Sequence, residues 1–224
     1  MIRKADRALG QGEKRHLLAM QISSELASYF RQKYQPMAVT ITPEAVIETL
    51  RKVGVNCVLM GTYGLGGYRK PTRATQDVDV LVPKRHVRKA VRALGERFPS
   101  LVVKDSAVVT RFIDPTTGEG VIDVMKPTRA VYRVVFRHTH AVGESHRIPT
   151  LGMALASKFA AMVSPNRQLD RKLIDAGDFV NIVQNNRREI DLPKLLRLTE
   201  QVYPGGGGEV RRLVEDIDAG KIQI

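Results

Sequence analysis

The sequence predicts an α+β fold: a small mixed β-sheet with helices packed on it, followed by a helical C-terminal part. Three observations carry that expectation. Short apolar runs bounded by turn residues recur from "VNCVLMG" to "GVIDVMKP", the pattern of buried strands. Segments with apolar residues at three-to-four spacing alternate with those runs and take over from Leu151 onward. At 224 residues, 43% of them hydrophobic, the chain is long enough to bury a substantial core.

Taken in order, residues 1–36 begin basic and continue as a helical pattern, "EKRHLLAMQISSELASYFRQKY". Leu17, Leu18, Ile22, Leu26 and Phe30 form its apolar face, which is expected to lie on the core as an N-terminal extension. "ITPEAVIETLRKVG" is a helix with Thr42 as its N-cap, Pro43 in first position, Glu44 in the first turn and Gly54 as the stop. "VNCVLMG" reads as a buried strand leading into a glycine-rich turn, and "QDVDVLVP" as a second strand closed by Pro83. "KRHVRKAVRALGERF" is a basic amphipathic helix. "SLVVK", "AVVTRFID" and "GVIDVMKP" follow as strands, the last two separated by the turn chemistry of "DPTTGEG". Helices come next in "LGMALASKFAAMV", "QLDRKLIDAGDFVNIVQNN" and "DLPKLLRLTEQVY", with the "GGGG" at 205–208 as a flexible break before a final short helix. The expected organisation is a basic helical extension at 1–36, an α+β core at 37–148 and a helical region at 149–224.

Lys and Arg number 36 against 23 Asp and Glu, a formal charge of +13. Such a field favours polyanionic partners, nucleic acid first, although high charge also serves solubility. No apolar run approaches the roughly 18 residues that span a bilayer, and no signal-type segment follows the basic N-terminus. A cytoplasmic protein without a membrane partner is expected. Cys57 is the single cysteine, so there is no internal disulfide and no cysteine-based zinc site, and its apolar setting reads as a buried thiol.

The chemistry concentrates in "GTYGLGGYRKPTRATQDVDVLV". On a strand, Asp77 and Asp79 project to one face. Two like charges so placed repel, and one takes up a proton unless a cation neutralises them. The alternative is that Asp77 caps a turn while Asp79 pairs with an arginine. Asp123, in the middle of "GVIDVMKP", can reach the same spot from a neighbouring strand. Three carboxylates suit Mg²⁺, and two such ions would activate a hydroxyl and support a departing pyrophosphate. "GLGGYR" fails the dinucleotide fingerprint because Arg69 takes its sixth position, and no Walker Gly-Lys-Ser/Thr exists. Gly61 would let backbone approach a phosphate, with the Thr62 hydroxyl and a helix N-terminus donating to it.

"VLMGTYGLGGYRKPTRATQDVDVLV" resembles the motif of the DNA polymerase β-type nucleotidyltransferase superfamily. It is more closely similar to the minimal nucleotidyltransferases that include abortive-infection type IV toxins and tRNA-modifying toxins. In those, a strand ends in Gly-Gly or Gly-Ser, an R-x-T-x-D-x-D segment follows, and a third aspartate comes from a later strand. Gly61, Thr62, Arg73, Thr75, Asp77, Asp79 and Asp123 match. The family's later lysine and its R…D-x-x-D helix are matched by Lys158 and by Arg171, Asp175 and Asp178. Thr62 departs from the usual Gly or Ser, and Ile174 stands where a lysine often precedes the first acid of D-x-x-D.

The resemblance implies transfer of NMP from an NTP, with Asp77, Asp79 and Asp123 as catalytic residues holding two Mg²⁺ ions or, alternatively, Mn²⁺. It places Gly61, Thr62, Arg73, Thr75 and Lys158 on the nucleotide, and leaves Arg171, Asp175 and Asp178 as a second motif. It further implies an RNA acceptor such as tRNA and, for a toxin of a toxin–antitoxin pair, an antitoxin protein. A protein hydroxyl or aminoglycoside acceptor, or a non-catalytic nucleic-acid-binding module on the same scaffold, are the competing readings. Arg69, Lys70, Arg73, Lys84, Arg85, Arg88, Lys89, Arg92 and Arg97 suit a phosphate-rich acceptor, with the helix at 84–97 expected at the mouth of the site. Aromatics are 5% of the chain with no Trp, and no series suited to base stacking stands out. His86, His138, His140 and His146 read as surface or strand residues that the chemistry does not need.

Overall fold

A computed structural model describes residues 9–35, 37–128 and 130–222; within the expected N-terminal extension, residues 1–8 and 36 lie outside the described residues. In chain order the elements are α1 (Gln11–Tyr34), α2 (Pro43–Lys52), β1 (Val58–Leu59), α3 (Gly61–Gly64), β2 (Val78–Leu81), a 3-10 turn at Lys84–His86 and α4 (Val87–Arg97). Then come β3 (Val102–Asp105), β4 (Val109–Ile113), β5 (Gly120–Met125), α5 (Ala130–Arg137), β6 (Thr139–Val142) and β7 (His146–Pro149). Four helices follow: α6 (Leu151–Met162), α7 (Leu169–Asn186), α8 (Leu192–Val202) and α9 (Gly206–Asp218). The strands form one mixed seven-stranded sheet in the order β3-β4-β5-β2-β1-β7-β6, as the α+β reading expects.

Alternation along β2 decides which way the carboxylates point. Val78 and Val80 enter a core with Leu59, Phe112, Ile122 and Val124, covered by Val46 and Leu50 of α2 and Ala90 and Leu94 of α4. Asp79 therefore goes to the opposite face. A one-residue slip would expose both valines and bury the aspartate under α2, so register is firmly held; each valine contributes about 1.5–3 kcal/mol by burial. The other face packs Val58 and Leu81 against Leu155 and Phe159 of α6, Phe179 and Ile182 of α7, Leu198 of α8 and Val210 of α9. Val134 and Val135 of α5 join that cluster. The helical layer thus begins before residue 149, interrupted by the β6–β7 hairpin.

Local chemistry explains several boundaries. Thr42 caps α2 by accepting from the Ala45 amide, Pro43 opens it, and Gly54 ends it at φ +68°. The tetraglycine is not a flexible break. Gly205 takes a left-handed conformation, and Gly206 to Gly208 form the first turn of α9. A β-carbon on Gly206 would lie 2.9 Å from the Thr199 carbonyl and 3.0 Å from Phe159, so bare backbone is what lets α9 approach its neighbours. The Glu200 carboxylate accepts from the Gly205 and Gly207 amides, which suits a helix start.

Two expectations about helices are reversed. The buried side of α1 is Glu13, His16, Ala19, Met20, Ser23, Ala27 and Arg31, while Leu18, Ile22, Leu26 and Phe30 face solvent. Only Leu17 of the expected apolar face packs on the core. The reason is that α1 lies on loops rather than on a greasy sheet face, and bonds their backbone. Likewise α4 covers the face of β2 opposite Asp79, so its basic residues are not at the mouth of the carboxylate site.

Candidate active site

Asp79 of β2 and Asp123 of β5 are direct partners on adjacent parallel strands, so their side chains leave the sheet side by side. Asp77 stands just before β2. All three line one cavity of about 1120 Å³ together with Gly61, Thr75, Arg111, Lys158 and Arg171. Asp79 reaches the cavity floor, where burial, then the charges of Asp77 and Asp123, push its carboxyl well above the usual range. Gly61 is confined on two counts. Its φ is +58°, and a β-carbon there would lie 2.0 Å from Asp79 Oδ2, so only glycine admits the carboxylate against the backbone.

Two of the acids already have partners. Thr75 Oγ1 donates to Asp77 Oδ1, so Thr75, which the resemblance places on the nucleotide, also orients an acid. Arg111, directly opposite Asp123 on β4, grips it with Nε at 2.7 Å from Oδ1 and Nη2 at 2.5 Å from Oδ2. The bidentate pair is of the strong kind. It also needs Gly120, where a β-carbon would lie 2.8 Å from Arg111 Cδ. Sequence reasoning missed Arg111, because the pairing exists only through the β4–β5 register.

Lys158 lies in the cavity wall within an ion network, bonded to Asp175 at 2.8 Å and to Asp178 at 2.7 Å. Asp178 also receives Arg69 at 2.9 Å and Arg73 at 3.4 Å, and Asp175 pairs with Arg167. Burial alone would raise Asp178, but the Lys158 and Arg73 charges and the bond from Arg69 hold it below the usual carboxylate range. Arg73, expected at the triphosphate, has its Nη2 on Asp178 in this structure. Thr62 is the second residue of α3 and is not among the described residues lining the cavity. Arg171 lines the cavity on an exposed stretch of α7, with Asp170 3.8 Å away. Ser157, beside Lys158 in the wall, has a buried hydroxyl with no partner among the described residues.

The loops carrying these residues are held by α1. Ser23 Oγ donates to the Arg73 carbonyl at 2.7 Å, and Arg31 donates to the Gln76 carbonyl at 2.9 Å and to that of Val39. His16 Nδ1 meets the Gly66 carbonyl at 3.0 Å, and its Nε2 meets His146 Nε2 at 3.0 Å. A carbonyl only accepts, so His16 carries its proton on Nδ1 and receives one from His146. Burial pushes both imidazoles down, His146 to about 3; it is a neutral structural histidine, not a base. Cys57 is the buried thiol expected, pushed up to about 12.

The donor set fits divalent cations in kind: hard oxygen ligands, one of them deep and short of positive partners. The three carboxylates are not gathered around one point, and among the described residues no ready-made cluster of three ligands exists. Arg111 takes one acceptor position on each Asp123 oxygen, so an ion shared with Asp79 meets the remaining ones or displaces Arg111.

No protein-family model matches the chain, and no curated protein does. Solved structures do. A nucleotidyltransferase-like antigenic protein from Paracoccidioides brasiliensis is 15% identical with a TM-score of 0.42, covering 84% of this chain and 89% of that one. The antibiotic-resistance factor ANT(2'')-Ia is 12% identical at a TM-score of 0.46, covering 80% and 95%. The Megavirus polyadenylate synthase is 12% identical at 0.45, covering 83% of this chain and 39% of the synthase. At these values the likeness is one of chain outline, and the functional reading rests on the carboxylates. No helix among the described residues is long and apolar enough to cross a membrane.

Proposed function

We propose that the chain is a nucleotidyltransferase that moves a nucleoside monophosphate from an NTP to a hydroxyl of an RNA acceptor, such as tRNA, releasing pyrophosphate. The observation that carries this reading is the pairing of Asp79 with Asp123 across two parallel strands, in the lining of a cavity, with burial first and then the charges of its neighbours driving Asp79 towards protonation. A site that concentrates uncompensated negative charge is built for cations. Asp77, Asp79 and Asp123 would hold two Mg²⁺ ions, which when bound neutralise the triphosphate and the charge that develops in transfer.

The chain's own residues do the rest. Lys158, Arg167 and Arg171 present positive charge from the opposite wall to the phosphates, and the free Ser157 hydroxyl supplies a donor. Asp123, once released by Arg111, receives the proton of the acceptor hydroxyl as its oxygen bonds to the α-phosphorus and the bond to pyrophosphate breaks. The cavity exceeds the roughly 300–1,000 Å³ of single-ligand pockets, which accommodates a nucleotide and an acceptor end together. In-line positioning and fixed charge provide most of the acceleration.

The test is incubation with each α-phosphate-labelled NTP, Mg²⁺ and total RNA. Label is expected on RNA with the wild type and not with Asp79→Asn; label retained by the variant, or no transfer from any NTP, overturns the reading. A toxin role is the finer part of the proposal, and growth arrest on expression, relieved by the same substitution, tests it.

A further inference from the structure

The solvent side of α1 ends in three aromatic rings that the fold leaves uncovered. Tyr29, Phe30 and Tyr34 are 57%, 46% and 65% exposed. Phe30 and Tyr34 are stacked, 22° apart with centroids at 6.2 Å, while Tyr29 meets Phe30 edge-on at 5.9 Å. The Lys33 ammonium lies 5.3 Å from the Tyr34 ring and 5.8 Å from that of Tyr29. In a chain with six tyrosines, six phenylalanines and no tryptophan, gathering three at one surface spot is a large concentration of apolar ring, and such exposed patches mark interaction sites.

The patch is continuous with the carboxylate cavity. Phe30 lines that cavity, whose walls also carry Arg111, Lys158, Arg167 and Arg171. An occupant of the ledge that extends into the cavity therefore meets rings first and cations next.

We propose that the ledge receives the unpaired nucleotides of a single-stranded nucleic-acid acceptor, whose bases stack on Tyr29, Phe30 and Tyr34 while its end enters the cavity. The inference rests on the nucleotidyl-transfer reading and names the form of its acceptor. Aromatic faces joined to a basic groove are how proteins hold single strands without reading sequence. Charge complementarity selects this occupant: a chain of formal charge +13 attracts a polyanion and repels a second copy of itself. Lys33 adds a cation beside the rings.

The test is fluorescence anisotropy with an unstructured RNA of about twelve nucleotides, DNA of the same sequence and a blunt RNA duplex. The proteins compared are the wild type, Tyr29→Ala/Tyr34→Ala, Tyr29→Leu/Tyr34→Leu and Tyr29→Trp/Tyr34→Trp. The single strand is expected to bind more tightly than the duplex. The alanine and leucine pairs should lose at least fivefold in affinity for it, and the tryptophan pair should keep or exceed wild-type binding; RNA against DNA shows whether ribose matters.

Unchanged affinity in the alanine pair, full binding by the leucine pair, or equal losses for duplex and single strand overturns the proposal. So does a wild-type dimer in sedimentation that Tyr29→Ala/Tyr34→Ala dissociates, because the ledge would then join two copies. Failure here with labelled transfer intact sinks the ledge alone. Transfer retained by Asp79→Asn sinks the nucleotidyl reading, whatever the rings bind.

Discussion

Two groups of aspartates meet opposite electrostatic conditions, Asp77, Asp79 and Asp123 in the cavity lining and Asp175 and Asp178 around Lys158 in its wall. On the sheet, Asp79 stands against Asp77 and Asp123 and is driven up towards the neutral form. On α7, Asp175 and Asp178 are also carboxylates, only 2% exposed, yet lysine and arginine surround them and Asp178 is driven down. The α7 group is a finished ion network, complete without any ligand. The sheet group is unfinished: burial first, and then two neighbouring carboxylates, leave Asp79 short of a stabilising partner. An aspartate's identity therefore says less than the charge balance around it.

Breaking the unfinished side should cost activity and no stability. Asp79→Asn is expected to lower nucleotidyl transfer by more than about 100-fold, while its melting temperature equals or exceeds that of the wild type, because a repelling charge has gone. A fall of several degrees would mean that Asp79 holds the fold together instead. Breaking the finished side should do the reverse in kind. Asp178→Asn leaves Lys158, Arg69 and Arg73 short of their shared anion and should destabilise by about 3–5 kcal/mol in chemical denaturation.

Arg111 sits on the border between the two regimes, since it finishes part of the unfinished site. Arg111→Ala should tighten Mn²⁺ binding in calorimetry by up to about tenfold, roughly 1.4 kcal/mol, by freeing Asp123. Weaker Mn²⁺ binding would show that the arginine shapes the site rather than competing for it.

The smallest effect is a difference in pH slope. A raised carboxyl favours the folded state below about pH 4 and surrenders that advantage as pH climbs through its folded value. The melting-temperature gain of Asp79→Asn over wild type should accordingly grow as pH rises from about 4. For Asp178 the sign reverses: its ionised form stabilises above about pH 4 and is lost on acidification, so the deficit of Asp178→Asn should shrink below that point. Parallel curves for both variants would remove the contrast.

Much of this was legible in the residues. The N-cap and stop of α2, the alternation that turns Asp79 away from Val78 and Val80, and the arrival of Asp123 from a later strand all follow from local pattern. What stayed hidden depends on pairing across the chain. Arg111 reads as one more basic residue until β4 is placed against β5. The bonds of Arg73 to Asp178 and of Thr75 to Asp77 likewise have no signature in the sequence. The apolar face of α1 was assigned to the core because periodicity reports that a stripe exists, and not which side of a helix has backbone carbonyls waiting for His16, Ser23 and Arg31. The aromatic ledge is equally hidden, because Phe30 falls in that stripe and the exposure of Tyr29 and Tyr34 beside it depends on how α1 is seated.

That seam between α1 and the loops also orders events in time. On a ribosome α1 emerges long before the segments that seat it: Gly66 and Arg73 follow their α1 partners by 50 residues, and His146 follows His16 by 130. The Ser23 bond that steadies the loop before Asp77 waits only for Arg73, whereas the His16–His146 contact waits until almost two-thirds of the chain has been made. The seam between α1 and its partners is consequently completed only after most of the chain has been made.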